Sequence, residues 1–215
     1  MDGSMTPAEL ELAARQNYNA VGDTHFTTAE FLVWIYRACM ILSNETFCIE
    51  DTFTTASVSG TREYSYPTNA MSIRRVEYDG QKLQPVSLEA DPKTNTTAPT
   101  GRPGQYAIWE GDLILFPTPS TSSLAIKVFA YCRPQAVTAS SVLEVPEEYH
   151  PDIIDFILAG MYAKDTNHQM STFHRNLWDA SINRIKRQRS KKLRGDQYAV
   201  VRDVSFQSDL PGTIV

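Results

Sequence analysis

The chain has 215 residues, 42% of them hydrophobic, and a formal net charge of −5 at pH 7, enough apolar material for one large or two small packed domains. Its three cysteines, Cys39, Cys48 and Cys132, are odd in number and form no CxxC pair, which argues against a disulfide framework or a zinc site and fits a reducing interior. There is no basic-then-apolar leader and no apolar run of bilayer length, so the expectation is a protein neither secreted nor membrane-anchored by its own sequence.

The first predicted element opens on a capping box, Thr6-Pro7-Ala8-Glu9, in which the threonine accepts from the third helical amide and the glutamate reaches back. Met5 and Leu10 can close a hydrophobic staple across it. Leu10, Ala14, Asn17, Tyr18 and Val21 form the expected inner face, and Gly22-Asp23 the expected end. A second box, Thr27-Thr28-Ala29-Glu30, lies between Phe26 and Phe31. The helix it starts carries Phe31, Trp34, Ile35, Ala38 and Leu42 on one side, while Leu32, Tyr36, Cys39 and Met40 make much of the rest apolar, which predicts a helix sandwiched between neighbours. Residues 1–46 thus read as an N-terminal helical hairpin.

From residue 47 to 137 the period changes from helical to two, and an antiparallel β domain of six or seven short strands is predicted, as a small barrel or sandwich. Residues 53–59 and 62–66 could pair as a hairpin about Gly60. Residues 72–78 and 81–88 flank Asp79-Gly80, and residues 106–109 and 113–116 flank Glu110-Gly111-Asp112; both are turn sequences that accept positive φ. Leu124, Ile126, Val128 and Ala130 alternate with Ala125, Lys127, Phe129 and Tyr131 in the last strand. Residues 89–103, with no apolar pattern, read as a long exposed loop.

Residues 145–194 supply the C-terminal helices that complete the helical domain. Pro151 is tolerable only in a first turn, so the helix starts near it. Ile153, Ile154, Ile157, Leu158, Met161 and Tyr162 share one face, and Phe173, Leu177, Trp178, Ile182 and Ile185 form a second stripe. Asp165, Asn167 and His168 fall between them, leaving open either two helices or one bent helix. The stretch ends in the basic run Arg184, Lys186, Arg187, Arg189, Lys191, Lys192 and Arg194. Without those seven cations the balance falls to −12, 13 basic against 25 acidic residues, so polarity is segregated along the chain, which suggests oriented contacts. Residues 195–215, including Tyr198, Val200, Phe206 and Leu210, read as an extended arm that cannot bury enough surface alone to offset its ordering entropy. The fold class is therefore α+β: a helical layer from both ends of the chain, a β domain between, and the arm.

Catalytic chemistry finds little support. His168 and His174 are six apart and lie on different helix faces, and His150 suits a capping contact better than metal ligation. Glu147, Glu148, Asp152 and Asp155 could serve as paired carboxylates, but a solvated helix start explains them through the dipole. Nucleophile-elbow, dinucleotide and P-loop patterns are absent. No cofactor is called for. The basic run carries the functional weight: it reads as a helix end complementing the dipole, as a DNA-contacting helix, or as a dock for an acidic protein surface.

The order of parts, together with Leu113-Ile114-Leu115-Phe116-Pro117-Thr118-Pro119, the strand ending Tyr131-Cys132-Arg133-Pro134, and Val145-Pro146-Glu147-Glu148-Tyr149-His150 leading into an apolar helix, resembles the head-to-tail adaptor proteins of tailed bacteriophages, the connector family that includes tail tubular proteins. The likeness covers most of residues 6 to 194. It implies a structural virion protein made in the host cytoplasm and placed at the head-tail junction. There it forms a homo-oligomeric ring, a dodecamer, between the portal and the tail or nozzle protein, with genomic DNA passing through the channel. It further implies that helices carrying Phe31, Trp34, Tyr36 and Met40 meet neighbouring subunits, and that the arm, with Arg184 to Arg194 as its charged base, docks on the portal. The rival readings are a DNA-binding protein using the basic helix and a hydrolase.

Overall fold

The computed structural model describes residues 5–88 and 99–202, the last twelve as backbone only. Helix α1 (Pro7–Tyr18) starts with the expected capping box and is closed earlier than expected by Asn19, whose φ of 61° turns its amide back to the carbonyls of Arg15 and Gln16. Leu10 and Ala14 are buried as expected, but Asn17 within the helix is exposed, as is Val21 beyond its end. Helix α2 (Thr28–Thr46) begins with the second box. The C-terminal helices α3 (His150–Lys164) and α4 (His168–Arg202) are separate. The break comes at Thr166, with φ at 59°, and Asn167, whose amide donates to the Tyr162 carbonyl. Helix α4 runs past residue 194, so residues 195–202 are helical rather than extended. Expected arm residues Phe206 and Leu210 lie outside the described residues.

The four helices share one core that includes Leu10, Phe31, Ile35, Leu42, Ile153, Ile157, Trp178 and Ile185. Each large side chain so buried contributes roughly 1.5 to 3 kcal/mol. Helix α3 is central, contacting α1, α2 and α4. Of the second stripe, Trp178, Ile182 and Ile185 point inward, whereas Phe173 and Leu177 are 52% and 40% exposed.

The β domain has two four-stranded sheets. One has the order β1 (Glu50–Ala56), β10 (Ala125–Cys132), β3 (Ala70–Tyr78), β4 (Gln81–Lys82); the other β2 (Glu63–Ser65), β8 (Asp112–Phe116), β7 (Gln105–Trp109), β5 (Gln84–Pro85). Two short pairings are parallel, β5 with β7 and β6 (Thr100–Gly101) with β9 (Thr118–Pro119), so part of the expected 89–103 loop is strand; residues 89–98 lie outside the described residues. The Asp79-Gly80 turn joins β3 to β4 with φ of 49° and 74°, and Glu110-Gly111 joins β7 to β8 with φ of 49° and 91°. The hairpin expected about Gly60 does not form. Its two strands diverge, β1 pairing with β10 and β2 with β8. Val76, Tyr78 and Ile126 of the first sheet meet Tyr64, Leu113 and Leu115 of the second. Phe53 packs against both this core and the helical one.

Candidate assembly surfaces

Helix α2 buries one of the two sides read from its sequence, but Cys39 of the other is buried with it. Phe31, Ile35, Ala38 and Leu42 are wholly buried, and the opposite face carries Val33, Tyr36 and Met40 at helical spacing. Val33 is 48% and Tyr36 37% exposed, while Met40 is half-buried. Of the four residues expected to meet a neighbouring subunit, Tyr36 and Met40 therefore lie on this outer strip. Phe31 is taken up by the chain's own core, so its side chain is not on offer to a neighbour. Trp34 stands between the two faces, its ring 5.4 Å from that of Phe31 and 6.5 Å from that of Phe26. A Cβ added at Gly160 would lie 2.9 Å from Trp34 Cε2, so only glycine admits the indole that close to α3. Trp34, Arg37, Phe156, Gly160, Ala163 and Arg175 border an open groove of about 420 Å³.

A second strip lies on α4. Phe173 and Leu177 are four residues apart, and Ala180 and Arg184 continue the same face; all four are exposed. The two strips stand on different helices that pack on one central helix, so they are distinct patches of one layer.

The basic run is largely engaged within the subunit. Arg184 holds Asp152 of α3 through bonds of 2.6 and 2.9 Å, and Ser181 donates to the same carboxylate. Lys186 pairs with Glu45 at the end of α2. Arg189 reaches the Phe47 carbonyl at 2.7 Å and Glu50 at 2.6 Å, tying α4 to the junction where the helical layer becomes β1. Arg187 is exposed and makes no ion pair among the described residues. Lys191, Lys192, Arg194, Tyr198 and Val200 lie on the distal backbone of α4.

The carboxylates weighed as catalytic pairs divide. Asp152 and Asp155 join α3 to α4, Asp155 through His174 at 3.0 Å, so the helix-start reading understated their role. Glu147 and Glu148 sit in a single turn of 3-10 helix before α3. His150, wholly buried, accepts the Met5 amide at Nδ1 and donates from Nε2 to the Val145 carbonyl at 2.8 Å. It fastens the amino-terminal segment to the start of α3, a contact that no local pattern announces. At the other end of α3, Lys164 donates to both carboxylate oxygens of Glu30 and to the His25 carbonyl. These contacts, Lys164 first and the Thr27 amide second, hold the Glu30 carboxyl down at about 2. Burial pushes the Cys39 thiol up to about 12 and raises Cys48 and Cys132, which keeps all three protonated and poorly nucleophilic. Among the described residues no cluster of three or more His, Cys, Asp or Glu could hold a metal ion, and no helix is long and apolar enough to cross a membrane.

The helical layer thus carries two exposed apolar strips and a set of internal fastenings. The chain belongs to the SU10 adaptor protein family, which it matches over residues 5–202. It is thus a bacteriophage adaptor, a structural component of the virion that engages portal and tail components in general. No curated protein matches the chain.

Proposed function

We propose that copies of this chain close into a ring at the head-tail junction, between portal and tail, leaving a channel for the genome. The observation that carries this reading is the pair of unlike apolar strips, Val33-Tyr36-Met40 on α2 and Phe173-Leu177 on α4. A cyclic ring needs a heterologous contact in which one patch of a subunit meets a different patch of the next. Docking of the α2 strip of one copy on the α4 strip of its neighbour supplies such a contact.

Docking on the portal falls to the distal end of α4 and residues 195–215. Arg184, Lys186 and Arg189 act as its base by clamping α4 to α3, α2 and β1, while exposed Arg187 is offered to a partner, with Lys191, Lys192 and Arg194 assigned to the same contact by the family resemblance alone. Repeated around a ring, weak single contacts gain strength through effective concentration. The ion pairs of Arg184, Lys186 and Arg189 favour this protein-facing reading over one in which the whole run meets DNA phosphates.

The test is native mass spectrometry of the full chain with and without its portal, beside Leu177→Asp and a chain lacking residues 195–215. The wild type forms a closed oligomer on the portal, Leu177→Asp stays folded but monomeric, and the truncated chain folds without attaching. Wild-type monomers that ignore the portal yet bind duplex DNA with a steep salt dependence would overturn the reading.

A further inference from the structure

The β domain has two open sheet edges. Strand β1 is bonded only to β10 and β2 only to β8, so each is the open edge of its sheet. The two are consecutive, and the corner joining them is pinned by the Tyr64 hydroxyl, which accepts the Val58 amide at 3.0 Å and donates to the Thr61 carbonyl at 2.9 Å. The direction of the free main-chain groups follows from the ends of the β1–β10 ladder. The Cys132 amide donates to Ile49 and the Ser57 amide to Leu124, so by alternation Asp51, Phe53 and Thr55 face β10 while Glu50, Thr52, Thr54 and Ala56 face away. One outward amide, that of Thr52, is met by the Asp51 carboxylate at 2.7 Å. On β2 the Arg62 carbonyl and the Tyr66 amide bond the β8 hairpin, which leaves Glu63 and Ser65 facing outward.

Natural edge strands are shortened, bulged, or blocked by proline or lysine. Strand β1 has seven residues in continuous register, none of them Pro, Gly or Lys, and six of the seven are exposed, Phe53 alone being half-buried. Three of its seven side chains are Thr, suited to a pleated surface. Three acids stand on these edges, Glu50 and Asp51 on β1 and Glu63 on β2; Glu50 is met by Arg189 and Arg74 and Glu63 by Arg62, whereas exposed Asp51 makes no ion pair among the described residues.

We propose that the β1 edge takes up an extended, basic segment of another protein, which adds as a further strand of the sheet. Main-chain bonding to Glu50, Thr52, Thr54 and Ala56 supplies affinity, and Asp51 at the head of β1 selects a basic residue. Charge disfavours a second copy as donor, since the chain is acidic overall and its basic run is helical through residue 202. Each described strand of the chain is already paired. The proposal does not depend on ring closure.

Hydrogen exchange of the full chain tests it, with the heptapeptide Lys-Thr-Val-Thr-Val-Thr-Lys as probe and its Glu-ended counterpart as control. The basic peptide slows exchange of the Glu50, Thr54 and Ala56 amides at least tenfold, and the acidic one binds at least tenfold more weakly. Thr54→Pro places a proline where the amide points outward, which an edge strand accommodates. It keeps the thermal transition and abolishes the protection. Absence of protection, or equal protection by both peptides, overturns the proposal. Protection of the same amides in the assembled protein alone, without peptide, also overturns it by naming a second copy as the occupant. Failure of the ring leaves the peptide result on monomers intact, so the two readings fall separately.

Discussion

Gly160→Ala is a sensitive probe of the helical layer because two effects of opposite sign meet there. In the interior of an exposed helix, replacing glycine by alanine stabilises by about 1 kcal/mol through backbone entropy. Here the new Cβ would stand 2.9, 3.1 and 3.2 Å from three atoms of the Trp34 indole, against an optimal carbon separation of about 3.5 to 4.0 Å. The indole is rigid and rests against the rings of Phe26 and Phe31, so relief requires moving α2 or tilting the ring into its neighbours. Such overpacking costs about 1 to 3 kcal/mol, and the net expectation is a loss of about 1 kcal/mol. Urea denaturation followed by far-ultraviolet dichroism reads this as a lower midpoint at unchanged slope. In a Trp34→Leu background the clash is gone, and Gly160→Ala should become stabilising by about 1 kcal/mol. A gain of that size in the wild-type background would refute the close packing of α2 on α3.

Other perturbations address the internal fastenings. Glu30 is held at about 2, below its ordinary 4.5, so its contribution to stability is present above pH 4.5 and is lost as the pH falls toward 2. Lys164→Met should flatten the acid limb of a stability profile over that window, whereas an unchanged limb would remove the assignment. His150→Ala strands the Met5 amide and Val145 carbonyl in a buried site and should cost about 2 to 4 kcal/mol; a cost below about 0.5 kcal/mol would mean that the amino-terminal segment is not held there. Arg189→Ala releases the Phe47 carbonyl and a half-exposed Glu50, for an expected loss of about 1 kcal/mol after solvent screening. A loss at 1 M salt as large as at low salt would assign that effect to packing rather than to the ion pair.

The parts of the fold that follow local chemistry were legible in the sequence. Both capping boxes, the Asp79-Gly80 and Glu110-Gly111 turns, and the helix start near Pro151 each need only residues within a few positions of one another. The hairpin about Gly60 does not form because β propensity does not say which strand a Thr-rich segment will meet, and β1 pairs with β10, from Ala56 with Ala125 to Glu50 with Tyr131, far along the chain. The basic run was legible as charge but not as fastening, since Lys186 and Glu45 are 141 residues apart. Phe173 and Leu177 fit the helical period of the core stripe, yet α3 covers only the face bearing Trp178, Ile182 and Ile185. Surplus apolar residues of that kind became the candidate interface. The opposed strip on α2 was half visible, with Tyr36 and Met40 anticipated and Phe31 absorbed by the core.

Head-to-tail contact between the α2 and α4 strips is tested most directly by cross-linking. With Tyr36→Cys and Leu177→Cys in one chain and the native cysteines buried, a short bifunctional maleimide applied to portal-bound protein should give a ladder of covalent multimers ending at a closed ring. Either single variant should give dimers at most. A double variant that attaches to the portal as well as the wild type yet yields no ladder would contradict the account.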